Sequence, residues 1–316
     1  MLTRSFSLLA LLAACAQPGG AVPEVAGLKS QAAKAVCREN TAGCQRAIRL
    51  DAPEPAAVIG VEYAYGPSAD QNLRLALAPC PAAPLVVFVH GGGWTVGDKD
   101  SGAGGKAAFY NARGYHFATV NYRLHPKATV EQAAGDVATA IAWLQAERPG
   151  AVRGALLQGH SAGAHLAALV ALDPRYLEGA GLTPRAIRAV SLLDGAGYDI
   201  GAQIRSGGNA DLYRAVFGDD PDRWAALSPL TYAADNPAGA EFVVHHLAER
   251  RASTWQSRAL VQALTDGGAA ATAIPVQGRT HASLNRRFGE AGDPVADQVA
   301  SVFARAAPPC APRAPA

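Results

Sequence analysis

The sequence predicts an α/β fold in which helices cover both faces of an eight-stranded, mostly parallel sheet. Short apolar runs typical of strands alternate with longer segments of helical periodicity. Hydrophobic residues make up 49% of the 316 positions, enough to fill one large core. In folds of this class, ligands bind at the carboxyl ends of the strands, so chemistry is expected there.

The predicted strands are apolar runs bounded by turn-forming residues. They cover Val58–Tyr65, Leu73–Leu77, Leu85–Val89, Phe117–Asn121, Ala155–Gln158, Ile187–Leu193, Phe242–His245 and Thr272–Val276. Helical periodicity indicates helices over Lys106–Arg113, Val130–Glu147, Ala162–Leu172, Ser253–Thr265 and Pro294–Ala306. Between the sixth strand and the next helix, the segment Tyr198–Trp224 predicts a small cap over the sheet edge.

Charge and length narrow the class of protein. The 28 Lys and Arg nearly balance the 26 Asp and Glu, which leaves a net charge of +2. A nucleic-acid-binding surface, or a polybasic patch that binds a membrane, needs a larger excess of cations. Nucleic acid and a membrane bound through such a patch are therefore excluded as partners. We expect one α/β domain over residues 56–316.

The N-terminus has the pattern of an export signal. Arg4 precedes the apolar run Phe6–Ala14, which is far shorter than the roughly 20 residues that span a bilayer. The run ends in Leu-Ala-Ala-Cys and resembles a bacterial lipobox, so residues 1–14 are expected to be a lipoprotein signal peptide and Cys15 the lipidated residue. The alternative is an ordinary signal peptide with a free Cys15.

Residues 15–55 are rich in Ala, Gly and Pro and are expected to form a tether and a disulfide-bound leader. Ala16, after the cysteine, resembles an outer-membrane sorting signal. The protein is therefore expected to be exported and held by its lipid alone on the outer membrane, facing the periplasm or the cell surface.

Four further cysteines lie in the expected oxidising compartment, and they allow three disulfide pairings. We favour Cys37 with Cys44, since a short polar loop separates them, which leaves Cys80 with Cys310 to hold the C-terminal segment. The cysteines and histidines lack the spacing of a metal site, so no metal ligand is predicted.

A nucleophile motif lies at the end of the fifth predicted strand. Residues Gly159–Gly163 are Gly-His-Ser-Ala-Gly, between an apolar strand and an Ala- and Leu-rich helix. A strand-to-helix turn of this kind strains the serine backbone and exposes its hydroxyl, and the flanking glycines avoid clashes. Because a predicted strand precedes the motif and a predicted helix follows it, a chance occurrence of the Gly-x-Ser-x-Gly pattern is a poor explanation. The motif therefore predicts Ser161 as a nucleophile.

A second motif follows the third predicted strand, where residues 90–94 are His-Gly-Gly-Gly-Trp. Acyl transfer places negative charge on a carbonyl oxygen, and a glycine loop lets backbone N–H groups approach that oxygen. Gly92, Gly93 and Ala162 are the predicted oxyanion-hole residues. A phosphate-binding loop is the alternative, but its Gly-Lys-Ser/Thr ending is missing.

The two motifs together resemble the α/β-hydrolase fold, in the esterase group with an HGGG loop that includes hormone-sensitive-lipase-like and arylformamidase-like enzymes. Val120–Leu124 and Asp136–Leu144 resemble this group's strand ending and following helix, and the likeness extends over Val58–Ala306. The segment Gly159–Leu169 favours the arylformamidase-like branch. The resemblance implies a triad in the chain order nucleophile, acid, histidine, with no cofactor or metal.

The triad histidine is expected to be His281, in a loop between the last predicted strand and a helix. His245 and His246 are its rivals, but they end the strand from Phe242, where an acid loop is expected to start. His90 and His160 flank the two motifs and are interpreted as hydrogen-bonded supports.

The triad acid departs from the usual pattern, because no aspartate occurs in the loop after the strand from Phe242. Glu249 stands seven residues before Gln256, and the arylformamidase-like resemblance implies an acid at this spacing. Asp194, which ends the preceding strand, is the alternative. A surface ion pair of Glu249 with a neighbouring arginine, and the absence of any functional acid, also stay open.

Trp94, His160 and Tyr198 are the candidate pocket residues, and Tyr213, Phe217 and Trp255 are further aromatic candidates that are equally suited to the core. Together these features predict a serine hydrolase of short-chain or aryl esters whose partner is a small ester substrate, with the membrane reached through the lipid anchor alone. An arylformamidase-like amidase is one alternative. A non-catalytic scaffold, suggested by the missing aspartate, is the other.

The lipobox interpretation is testable by metabolic labelling. When cells that express the full chain are grown with labelled fatty acid, the wild type should carry the label and Cys15→Ser should not, because the thiol is the attachment site. Cys37→Ser serves as the matched cysteine control and should keep the label. Continued labelling of Cys15→Ser would refute the assignment.

Overall fold

The computed structural model describes residues 59–147 and 154–310, and their strands form one sheet. The strands are β1 Val61–Ala64, β2 Asn72–Ala76, β3 Leu85–Val89, β4 His116–Val120, β5 Ala155–His160, β6 Ile187–Leu193, β7 Glu241–Leu247 and β8 Ala271–Val276. Their order across the sheet is β1-β2-β4-β3-β5-β6-β7-β8. β2 pairs antiparallel with β1 and with β4, and every other pairing is parallel.

The central strands are buried along their whole length. Every residue of β3, β4 and β5 is buried, and the sequence of β3, Leu-Val-Val-Phe-Val, is apolar without alternation. Such continuous runs form strands that are covered on both faces, since neither face is left for polar side chains. Two apolar clusters of buried residues accordingly contain side chains of these strands.

Ten α-helices occur in the described residues. They are α1 Gly104–Ala112, α2 Val130–Glu147, α3 Ala162–Leu172, α4 Pro174–Gly179, α5 Ile200–Arg205, α6 Ala210–Phe217, α7 Pro221–Ala226, α8 Arg251–Asp266, α9 His281–Arg286 and α10 Pro294–Ala306. None of them has both the length and the apolar character that crossing a membrane requires. The prediction of an α/β sheet with helices on both faces is confirmed.

The short helices α4 to α7 and α9 were not predicted, because six to eight residues contain too few turns to show a periodicity. Local capping defines several of them instead. An aspartate side chain accepts a hydrogen bond from a backbone N–H at the start of α4, α5 and α7. These residues are Asp173, Asp199 and Asp220. Thr280 does the same for α9.

Helices α5, α6 and α7 occupy the segment predicted as a cap. The Gln256 side chain on α8 fixes the start of this segment. Its Oε1 accepts the Asp199 N–H at 2.8 Å and its Nε2 donates to the Asp199 carbonyl at 3.0 Å. The Ile200 N–H donates to Ser228 Oγ at 2.9 Å, so both ends of the cap are tied together.

A disulfide and an ion pair stabilise the periphery of the sheet. Cys80 and Cys310 form a disulfide with a Cα–Cα distance of 6.2 Å, the pairing that the sequence favours. Buried Asp136 accepts hydrogen bonds from the Arg123 guanidinium at 2.7 and 2.8 Å and thereby joins two segments that carry the family resemblance. The predicted signal peptide, Cys15 and the Cys37–Cys44 pair lie outside the described residues.

Candidate active site

The turn between β5 and α3 carries Ser161 in a strained conformation. Its φ is 56° and its ψ is −121°, a combination that non-glycine residues rarely adopt. A Cβ on Gly159 would lie 2.2 Å from the Gly163 carbonyl oxygen, and a Cβ on Gly163 would lie 2.2 Å from that of Val89. Both glycines are therefore required by the close approach of α3 to its neighbouring strands.

The glycine loop after β3 lies against this turn. A Cβ on Gly91 would come within 2.9 Å of the Ser161 Cβ, and one on Gly92 within 1.8 Å of the Val96 oxygen. Gly92 and Gly93 also have φ values of 129° and 60°. Within the described residues, the N–H groups of Gly92, Gly93 and Ala162 donate to no protein acceptor, so they are available for an oxyanion.

His281 is the first residue of α9 and faces the end of β6. Its Nδ1 lies 2.6 Å from Asp194 Oδ2. The Nδ1–H therefore donates to the carboxylate, which leaves Nε2 with a lone pair to accept a proton. His160 Nε2–H donates to the His281 carbonyl at 3.0 Å, and the two rings lie 4.5 Å apart between centroids.

Asp194 is almost fully buried, with 1% exposure, and has a φ of 45°. Its Oδ1 accepts the Leu247 N–H at 3.1 Å, and its Oδ2 accepts hydrogen bonds from His281 and from Arg250 Nη1. Burial favours the neutral acid, but hydrogen bonding from His281, the nearby Ser253 hydroxyl and the charge of Arg250 together outweigh it and hold the pKa of Asp194 well below its usual value. The carboxylate is thus ionised at neutral pH.

The preference for Glu249 as the partner of His281 is corrected by these contacts. Glu249 is exposed, and its carboxylate has no hydrogen bond or ion pair among the described residues. It lies in the loop after β7, whereas the residue that reaches His281 follows β6. Gln256, seven residues after Glu249, has another role, because its side chain fixes the start of the cap at Asp199.

The aromatic candidates are largely buried. Trp94 and Tyr198 retain 4% and 0% exposure, which argues against direct contact with a substrate. Trp94 packs edge-on against Phe217 of the cap with centroids 4.9 Å apart, and its Nε1–H donates to His165. His160 is also buried and supports the backbone of His281, as its predicted supporting role requires.

Burial sets the charge state of the two motif histidines. Burial, with a smaller effect of His281, holds the pKa of His160 well below the usual value, and burial lowers the pKa of His90 to about 4. Both side chains are therefore neutral supports at neutral pH. The His90 ring stacks on Tyr122 with centroids 4.4 Å apart.

Two residues at the site were missed by sequence reasoning. Arg250 contacts Asp194, but a basic residue after a strand carries no recognisable signal. Leu212 on α6 lies over the glycine loop, since a Cβ on Gly93 would be 3.4 Å from its Cδ2. The amphipathic character of the cap segment could have indicated an inward-facing leucine, although not its position.

The arrangement is suited to nucleophilic catalysis on a carbonyl group. It combines a serine in a strained strand-to-helix turn, a histidine oriented by a buried carboxylate, and backbone donors beside the serine. The described residues contain no group of three or more His, Cys, Asp or Glu side chains suited to a metal ion. These features define an α/β-hydrolase of the HGGG esterase group.

Comparison with known proteins agrees with this class. The chain belongs to the BD-FAE family, whose model matches residues 77–264. It is 32% identical to the esterase LipQ of Mycobacterium tuberculosis over 230 residues, or 65% of this chain and 52% of LipQ. It is 34% identical to kynurenine formamidase of Drosophila melanogaster over 96 residues, or 30% of this chain and 32% of that protein.

A solved structure extends the likeness in fold. Esterase B from Lactobacillus rhamnosis superposes with a TM-score of 0.65 and 22% identity, covering 87% of this chain and 92% of that one. The chain spans about half the length of LipQ, or less in the case of kynurenine formamidase. The predicted resemblance to the HGGG-type esterase group is confirmed.

The two candidate acids can be separated by matched amide substitutions. Asp194→Asn should lower kcat for p-nitrophenyl acetate by about 10²- to 10⁴-fold, because it removes the charge that orients and stabilises the imidazole. Glu249→Gln should stay within about twofold of the wild type, since this side chain is exposed and unbonded. Circular dichroism establishes that both variants are folded. A larger loss in Glu249→Gln would contradict the assignment.

Proposed function

We propose that the protein is a serine carboxylesterase in which Ser161, His281 and Asp194 form the triad. The observation that carries the proposal is the 2.6 Å contact of His281 Nδ1 with the buried Asp194 carboxylate, together with the positive φ of Ser161 at the end of β5, the strand next to β6. A neutral imidazole with its Nδ1–H on a carboxylate is the form that a general base must have.

The proposed reaction has two half-reactions. His281 Nε2 takes the Ser161 hydroxyl proton while Oγ attacks the ester carbonyl, and the oxygen that becomes negative receives hydrogen bonds from Gly92, Gly93 and Ala162. Collapse of this intermediate breaks the C–O bond to the alcohol, which receives the proton from His281. Water then attacks the acyl-enzyme by the same sequence and releases the carboxylic acid.

The cap supports a preference for short acyl chains. Leu212 lies in van der Waals reach of the position where a Gly93 Cβ would be, so it covers the oxyanion loop from above. A side chain at this place limits the room next to the reacting carbonyl carbon. Small acyl groups with an alkyl or aryl alcohol are therefore the proposed substrates.

An amidase of the arylformamidase type is the second candidate. It is favoured by the local similarity to the Drosophila kynurenine formamidase, which covers 30% of this chain. The formyl group is the smallest acyl group and would fit beneath Leu212. We also propose that the protein acts as an exported lipoprotein, on the strength of the Leu-Ala-Ala-Cys15 motif.

Hydrolysis assays with three substrates test the proposal. Protein that begins after Cys15 should cleave p-nitrophenyl acetate faster than p-nitrophenyl octanoate, and Ser161→Ala should lose at least about 10⁴-fold in kcat because the nucleophile is removed. Faster Ser161-dependent cleavage of an N-formyl aryl amine would favour the amidase. If Ser161→Ala matches the wild type on every substrate, the scaffold alternative is supported instead.

Substitution of Leu212 tests the origin of the acyl preference. Leu212→Ala should raise the ratio of kcat/KM for octanoate to that for acetate by roughly 5- to 10-fold, because it opens space next to the acyl group. Asp211→Ala, an exposed neighbour on the same helix, serves as the matched control and should leave the ratio unchanged. An unchanged ratio in Leu212→Ala would remove Leu212 from the acyl site.

A further inference from the structure

We infer that Arg250 is a positioning residue of the triad, which clamps the Asp194 carboxylate and sets the pH range in which His281 acts as a base. This inference rests on the proposed function, since it assigns a role to a residue beside the proposed triad. Arg250 lies outside both glycine motifs of the site.

The chain between the end of β7 and the start of α8 donates hydrogen bonds to both oxygens of Asp194. The Leu247 N–H donates to Oδ1 at 3.1 Å, and Arg250 Nη1 donates to Oδ2. The backbone of Arg250 is fixed on both sides, because its N–H donates to the Leu247 carbonyl at 3.1 Å and its own carbonyl accepts the Thr254 N–H at 2.9 Å. The guanidinium is therefore presented to the carboxylate by the start of α8.

Arg250 and His281 donate to the same oxygen. The Arg250 Nη1 lies 2.7 Å from His281 Nδ1, and both nitrogens contact Asp194 Oδ2. Since both are donors when Nδ1 carries its proton, they lie side by side rather than bonded to each other. The positive charge of the guanidinium is thus adjacent to the ring that becomes positive during catalysis.

Among the other titratable groups near the pair, the histidines and the tyrosine are uncharged at neutral pH, whereas Lys106 is partly protonated. His160 and His246 interact electrostatically with Asp194, and burial lowers the pKa of each. Tyr198 also interacts with Asp194, and burial raises its pKa well above the usual value. Lys106 interacts with His160, and burial lowers the pKa of this lysine to about 7. Arg250 is therefore the cation in direct contact with the acid and the base.

The sign of the effect follows from charge. A cation beside the imidazole opposes its protonation in two ways. It repels the imidazolium directly, and it partly neutralises the Asp194 carboxylate that stabilises the imidazolium. Removing the cation makes protonation easier, so the acid limb of the kcat/KM profile should move to higher pH. Because the Arg250 side chain is 37% exposed, solvent screens it and the movement should be about half a unit to one unit.

The test compares pH profiles of kcat/KM for p-nitrophenyl acetate in Arg250→Gln, Arg250→Lys and Arg251→Gln. We expect the acid limb to move to higher pH in Arg250→Gln and to stay close to the wild type in Arg250→Lys, which keeps the charge. Arg251 is exposed and has no ion pair among the described residues, so Arg251→Gln is the matched control.

The outcomes separate this inference from the proposed function. If Ser161→Ala retains turnover, the proposed function fails. If Ser161→Ala is inactive and the Arg250→Gln profile keeps the wild-type acid limb, only the role of Arg250 is overturned. A lower kcat without a moved limb would indicate a merely structural contact. Should Arg250→Gln not fold, Arg250→Met, which is also neutral and keeps an apolar stem, takes its place in the same comparison of pH profiles.

Discussion

The site depends on a turn that has no room for a side chain at either flank of the nucleophile. Gly163 allows α3 to begin directly against the carbonyl of Val89, and Gly159 allows β5 to pass beneath the helix start. This contact brings the N–H of Ala162 to the glycine loop after β3. Because the oxyanion donors belong to two segments packed backbone to backbone, their spacing is set before any substrate arrives.

Parallel pairing brings the remaining groups to the same edge. Ser161, Asp194 and Arg250 follow β5, β6 and β7, which are neighbours in the sheet, and the Ser161 N–H donates directly to the Leu193 carbonyl at 3.0 Å. His281 arrives after β8 and is held from below by His160. The buried Asp194 carboxylate is the point where these contributions meet, since it accepts hydrogen bonds from Leu247 at the end of β7, from Arg250 just before α8 and from His281 on α9.

Much of this architecture could be predicted from the sequence, because the strands that form it are apolar without interruption and the two glycine motifs occur only where strands end. The identity of the triad acid could not be predicted in this way. Chain order allows both Asp194 and Glu249, and the decision depends on which strand end lies beside the start of α9, a distance that spacing does not encode. Arg250 was missed for the same reason, since its contact is made across strands.

Two of the three proposed triad residues have positive φ although neither is glycine: Ser161 at 56° and Asp194 at 45°. Such conformations cost on the order of 1–3 kcal/mol each and persist only where the surroundings enforce them. Replacements that relieve this strain would make the fold more stable while removing the reactive groups. A search for thermostable variants by stability alone would therefore select against these two positions, and engineering of this scaffold has to hold them constant.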